Sequence, residues 1–197
     1  VSIMAIILGI TLSGGPQAIM RLTLSNNAYE TELLIREAQV QGSAINSLNG
    51  TYGGIGVYFN RATATQALKF KDRVDPALRR AIGIGNGLYE STPEDEKDSI
   101  FSFSNNNRIG KLCVATSTQS TSSIMCNEDN ALNINTLTIA FERPKQEAHI
   151  YINDATSTDY LFACIQIDSN RSPTFGFVKS IFVYRSGMIT KNSRTCQ

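Results

Sequence analysis

Four cysteines and one histidine have the most chemistry to offer, and their placement limits it. Cys113, Cys126, Cys164 and Cys196 form no C-x-x-C pair, and His149 is the only imidazole. A zinc site would need ligands gathered from scattered places. An even cysteine count at wide spacing reads instead as two disulfides in an oxidising compartment, with buried free thiols as the alternative. Four cysteines allow three connectivities. The favoured one joins Cys113 to Cys126 across a Ser/Thr-rich loop, and Cys164 to Cys196 to tie the C-terminus to a strand. The other two stay open.

His149 lies in an apolar stretch, Ala148–Ile152, that reads as a strand. Nucleophilic catalysis would need a nucleophile and an orienting acid beside it, and no G-x-S-x-G pattern supplies them. The reading is therefore a structural histidine and no enzyme. Gly83, Gly85 and Gly87 lack the Lys-Ser/Thr of a phosphate loop and read as a turn. The acidic stretch that follows offers oxygen ligands, with Asn86, Glu90, Glu94 and Asp95 as calcium candidates. Their spacing is not that of an EF-hand, so a solvated acidic loop is preferred and no cofactor is expected. Arg61, Lys69, Lys71, Arg73, Arg79 and Arg80 make a locally basic stretch. A net charge of +1 nevertheless gives no broad footprint for nucleic acid. Asn49-Gly50-Thr51 and Asn170-Arg171-Ser172 are glycosylation sequons.

These residues must be held by a chain of 197 residues, enough for one domain and an extension. Residues 1–12 are almost wholly apolar, too short a run to span a bilayer, and read as part of a longer apolar helix. Gly14, Gly15 and Pro16 predict a helix break, since glycine adds entropy cost and proline removes a donor. Residues 17–48 then follow a helical period. Leu34, Ala38, Gln41, Ile45 and Leu48 line one face, and Leu22, Tyr29, Leu33, Val40 and Ala44 line an adjacent strip. That apolar surface is wider than packing on one sheet needs. Glu32 and Arg36 are an i,i+4 pair of favourable polarity, and Asn49-Gly50 ends the helix.

Strands are predicted from there on. Tyr52–Phe59 is a glycine-containing strand, and Ala67–Phe70 is a further candidate. Further strand candidates are 100–104, 108–115, 137–141, 148–152, 160–167, 176–183 and 187–190, several of which alternate with period two, as at Phe101/Phe103, Leu137/Ile139/Phe141 and Ile165/Ile167. Asn105-Asn106-Asn107 signals a tight turn, and residues 116–123 read as a polar loop. The expected organisation is an N-terminal helix over 1–48 and a β-rich domain over 49–197.

The layout resembles the type IV pilin-like family, which includes type IV pilus pilins and type II secretion pseudopilins. The residues that carry the resemblance are Val1-Ser2-Ile3-Met4-Ala5-Ile6-Ile7-Leu8, Ile35-Arg36-Glu37-Ala38-Gln39, Tyr52 to Phe59, and Ser180 to Ile189. The family's Phe-Thr-Leu-Ile-Glu segment and its leader are not in this sequence, so its buried glutamate and methylated N-terminus cannot be assigned here; the resemblance implies that they lie just upstream of Val1. The resemblance implies an α+β fold with a long N-terminal helix packed on antiparallel β-sheet. It implies a structural subunit held in the inner membrane and then polymerised by assembly machinery into a cell-surface filament. Val1, Ile3, Ile6, Ile7, Ile10 and Leu12 would pack in the filament core, and the helix would unwind at Gly14–Pro16. A minor pilin at a filament tip, binding a surface or DNA, is the alternative.

Overall fold

A computed structural model describes residues 2–44, 52–73, 86–91, 96–116, 124–127, 133–142, 147–155, 160–169 and 177–196. Before residue 17 it describes the helix backbone only. Among the described residues one α-helix, α1 (Ser2–Ala44), precedes ten strands: β1 Tyr52–Asn60, β2 Gln66–Arg73, β3 Lys97–Ser102, β4 Asn107–Thr116, β5 Ile124–Cys126, β6 Thr136–Glu142, β7 Ala148–Ile152, β8 Tyr160–Ser169, β9 Val178–Tyr184 and β10 Ile189–Asn192. They form two five-stranded antiparallel sheets. Sheet A runs β3-β2-β1-β6-β7, and sheet B runs β10-β9-β8-β4-β5.

Alternation along the strands explains why the sheets share one core. Ile55, Val57 and Phe59 of β1 join Leu137, Ile139 and Phe141 of β6 in a fully buried cluster. Leu112 and Val114 of β4, Ala163, Ile165 and Ile167 of β8, and Ile181 and Val183 of β9 complete it from sheet B. Side chains two apart in a strand share a face, so each strand also presents an outer row. On β1 that row is Gly54, Gly56 and Tyr58.

The expectation of an α+β fold organised by a long helix packed on a sheet is corrected. The architecture is mostly antiparallel β in two sheets, with a single N-terminal helix. The physical reason lies in what covers what. Among the described side chains of α1, Leu24, Ala28, Ile35 and Ala38 enter the core with Leu34 packed against it, while the strands supply most of the rest. Residues of the helix and of both sheets meet in one shared cluster, to which the two sheets contribute the larger part. These four helix residues belong to the same cluster as the strands.

Two further expectations differ in detail. The helix assignment runs without interruption through Gly14, Gly15 and Pro16, where a break was expected. A proline inside a helix removes one hydrogen bond, and a long helix absorbs that loss in its local geometry. The buried face of α1 is also rotated from the expected Leu34–Ala38–Gln41 line. It runs through Leu24, Asn27, Ala28, Thr31, Ile35, Ala38 and Gly42. Small residues sit where the helix approaches most closely. A Cβ on Gly42 would lie 2.5 Å from the Phe141 carbonyl oxygen. The strand β5 was not foreseen. Asn105 and Asn106 do form the expected turn, with φ of 55° and 56°. Asparagine tolerates this left-handed conformation because its short amide can bond locally.

Candidate functional site

Two regions hold side chains that the fold does not use up. The first is the far face of α1. The inward polar residues are satisfied: Asn27 Nδ2 donates to the Ser104 carbonyl at 3.1 Å, and its Oδ1 accepts from the Ser104 hydroxyl at 2.9 Å. Gln39 Nε2 donates to the Gly187 carbonyl at 2.9 Å, fixing the helix on the β9–β10 turn. Opposite this anchored face, Ile19, Leu22, Tyr29, Leu33 and Val40 are each more than half exposed. Their spacings of three, seven, four and seven residues put them on one continuous stripe. Four of the five belong to the second apolar strip read from the sequence.

The flanks of the stripe differ in charge. Toward sheet A, Glu37 is bridged at 2.7 Å to Lys69, which also contacts Asp98 at 2.9 Å. Burial alone would depress the Lys69 ammonium, but its hydrogen bonds to Glu37 and Asp98 hold it above its ordinary range. Burial would raise Asp98, and hydrogen bonds from Lys71 and Lys69 pull it below the usual carboxylate range instead. Toward sheet B the flank is basic. Arg21 lies 4.3 Å from the Phe177 ring centre and Lys191 lies 5.0 Å from that of Tyr29. Arg36 and Lys191 both contact Glu32. An open hollow of about 730 Å³ continues from Leu22 past Arg21 to Phe177 and Lys179.

The second region is the outer face of sheet A. Gly54 pairs with Asp72 on one side and Glu142 on the other, so two carboxylates flank a residue without a side chain. Asp72 is fully buried. Its Oδ2 accepts from the Gly87 amide at 2.8 Å, while its Oδ1 has no partner. Burial pushes Asp72 up to about 7, helped by the charges of Glu96 and Glu142 and opposed by the Gly87 and Asn86 amides. Glu142 is raised by burial and drawn back by His149. Tyr151, half-buried and facing Glu142 and Asp72, is pushed up to about 12 by burial and by those two carboxylates. Glu96 is raised by burial, although one oxygen accepts from the Arg73 amide at 2.7 Å and the other from the Glu90 amide at 2.8 Å.

The disulfides are those favoured from the sequence, Cys113–Cys126 and Cys164–Cys196. Cys113 stands opposite both Cys126 and Cys164 in the strand register, which gathers all four sulfurs into one buried cluster on the outer face of sheet B. Of the calcium candidates, Asn86 and Glu90 are brought together but bond to each other at 2.8 Å. Glu94 and Asp95 lie outside the described residues. Among the described residues no three acidic, histidine or cysteine side chains are placed to hold a metal ion. In the basic stretch, Lys69 and Lys71 are engaged by Asp98, and Arg79 and Arg80 lie outside the described residues. Val1 and both sequons lie outside them too, as do the side chains of Ile3, Ile6, Ile7, Ile10 and Leu12 and of Gly14 to Pro16. Sequence reasoning missed Asp72 and Glu142, and read Glu96 only as part of a solvated acidic loop. A visible signal was the adjacent Gly53-Gly54-Ile55-Gly56 run, which clears one sheet face.

Among the described residues no helix is long and apolar enough to cross a membrane. Compared with protein-family models, curated proteins and solved structures, the chain matches none.

Proposed function

We propose that this protein is a structural subunit that associates with copies of itself through α1, building an extracellular filament of the type IV pilus kind. The observation that carries this reading is the exposed stripe Ile19–Leu22–Tyr29–Leu33–Val40, set opposite a helix face already anchored to both sheets. A contiguous exposed apolar surface is unusual on a monomer and marks an association site. Burying five such side chains is worth on the order of 10 kcal/mol. Association itself costs about 4–15 kcal/mol. One stripe against one neighbour is therefore marginal, and contact with several neighbours is favoured.

The unequal flanks support same-direction packing. When two such helices meet stripe to stripe and run parallel, the acidic flank of one faces the basic flank of the other. When they run antiparallel, like flanks meet. Membrane storage before assembly, a dedicated assembly machinery and a cell-surface location belong to the same proposal. The disulfides suit the oxidising compartment it requires.

The test is electron microscopy and sedimentation of the full chain, with and without Leu33→Asp. Regular filaments or large oligomers are expected from the parent protein. The variant is expected to stay monomeric with unchanged circular dichroism, because Leu33 is 52% exposed and outside the core. Filaments of normal abundance from Leu33→Asp would overturn the reading.

A further inference from the structure

The short segment 86–91 lies across the outer face of sheet A, where the Glu96 amide also donates to the Glu90 carbonyl at 3.2 Å. Leu88 is buried, and the Tyr89 ring packs 5.1 Å from Tyr58 and 5.8 Å from Phe70, centre to centre. Gly87 sits so close under Tyr151 that a Cβ there would be 2.6 Å from the phenol oxygen. Two carboxylates clamp the segment's backbone. Glu96 receives the Glu90 amide, and Asp72 receives the Gly87 amide.

The two clamps are not equivalent. Glu96 has both oxygens occupied by amides, whereas Asp72 Oδ1 is sealed from water with nothing bonded to it. An ionised carboxylate in that position is costly unless a cation or further donors reach it. The charged groups that face Asp72 are Glu96 ahead of β3 and Glu142 on β6, both acidic, with the Tyr151 phenol on β7. His149, also on β7, acts on Glu142. Among the described residues no cation pairs with Asp72. The Gly87 and Asn86 amides favour the charged form but leave Oδ1 without a bond, and a proton on Asp72 would remove the cost of that unpartnered oxygen.

We propose that Asp72 is a proton-operated latch, holding residues 86–91 against sheet A while it carries its proton and loosening them when the proton passes to solvent. Opening the segment would uncover Tyr58, Phe70 and the Tyr151 ring, and would let water reach Oδ1. The closed form thus binds the proton more tightly than the open form. Closure is favoured on the acid side, and it is lost progressively as pH rises from the ordinary aspartate range to the neutral value of the closed form.

The test is amide hydrogen exchange of residues 87–90 in the full chain between pH 5 and pH 8, corrected for the intrinsic pH dependence of exchange. Protection is expected to fall by up to about tenfold per pH unit toward neutrality and to level off above it. Amides of Ile165 and Ile167 in β8 should not follow this profile. Asp72→Asn, which stays neutral, should flatten it. A flat profile in the parent protein, or an unchanged slope in Asp72→Asn, would overturn the latch. Should the variant not fold, carbon-13 titration of the Asp72 carboxyl decides. A midpoint near neutrality supports the latch, and one in the ordinary aspartate range overturns it.

Discussion

The two sheets close their outer faces in opposite ways. On sheet B the closure is covalent. Cys113–Cys126 ties β4 to β5, and Cys164–Cys196 brings the chain's end over β8, where the Cys196 amide also donates to Gln166 at 3.2 Å. Phe162 and Phe182 pack against this sulfur cluster. On sheet A the closure is polar. Two buried carboxylates collect backbone amides, and aromatic rings pack beneath the segment they hold. A disulfide constrains the denatured chain at any ordinary pH. A buried carboxylate stabilises in a way that depends on whether it carries a proton. One face should answer to reductant, the other to pH.

The largest effect expected from breaking this contrast is on the covalent side. Replacing both Cys164 and Cys196 by serine opens a crosslink spanning 32 residues, a loss of about 4 kcal/mol by chain entropy. The Cys113–Cys126 crosslink spans 13 residues and should be worth about 3 kcal/mol. Denaturant unfolding at fixed pH measures both, and the order of the two values is the sharper check. Protection of amides 87–90 should survive either change. Equal loosening of both outer faces would show that they are not separate devices.

On the polar side the expected effect is smaller and depends on pH. Asp72 ionises at about 3.9 in an unfolded chain and at about 7 in the folded protein. The folded state therefore keeps a proton that the unfolded state releases. That contribution is complete below the unfolded value and falls as pH rises, until it is gone above the folded value. Between pH 5 and pH 7 the parent protein should lose about 2 kcal/mol that Asp72→Asn does not lose. Glu96 and Glu142 are also raised and add to the same direction, while Asp98 is lowered and opposes it at lower pH. Urea titrations of both proteins at several pH values provide the measurement. Parallel stability curves would remove Asp72 from the account.

These two closures were not equally legible in the sequence. Cysteine is conspicuous, and the favoured pairing is the one formed, although the sequence left the other two connectivities open. Strand positions were legible for the same kind of reason. Leu137, Ile139 and Phe141 announce a buried row by alternation alone, and seven later strands were placed within a few residues. The carboxylate cluster was hidden because Asp72 and Glu142 are 70 positions apart and become neighbours only when β2 and β6 both pair with β1. Asp72 also sits among Lys69, Lys71 and Arg73, where it reads as one more surface charge. The rotation of the helix face had a local cause. Asn27 and Thr31 are polar and were not counted as inward, yet Ser104 and the helix backbone satisfy them there. That the strands form two sheets sharing one core was invisible, because periodicity shows that a face is apolar and not which element covers it.

Gly87 offers the smallest perturbation and the most selective one. Its φ of +75° is a conformation that costs an ordinary residue about 1–2 kcal/mol. An added Cβ would also meet the Tyr151 ring, with phenol atoms at 2.6 to 2.8 Å. Gly87→Ala should therefore weaken docking of 86–91 on two counts, while Asp72 and its unpartnered oxygen stay in place. The global cost should be no more than about 2 kcal/mol, because opening the segment relieves both conflicts and leaves the shared core intact. Hydrogen exchange should show protection lost at residues 87–90 at every pH, with β4 and β8 unchanged. Tyr151→Ala in the same chain removes the steric part alone, and partial recovery would apportion the two costs. If Gly87→Ala instead destabilises sheet B as much as sheet A, the outer face of sheet A is part of the cooperative core, and its contrast with the covalent face disappears.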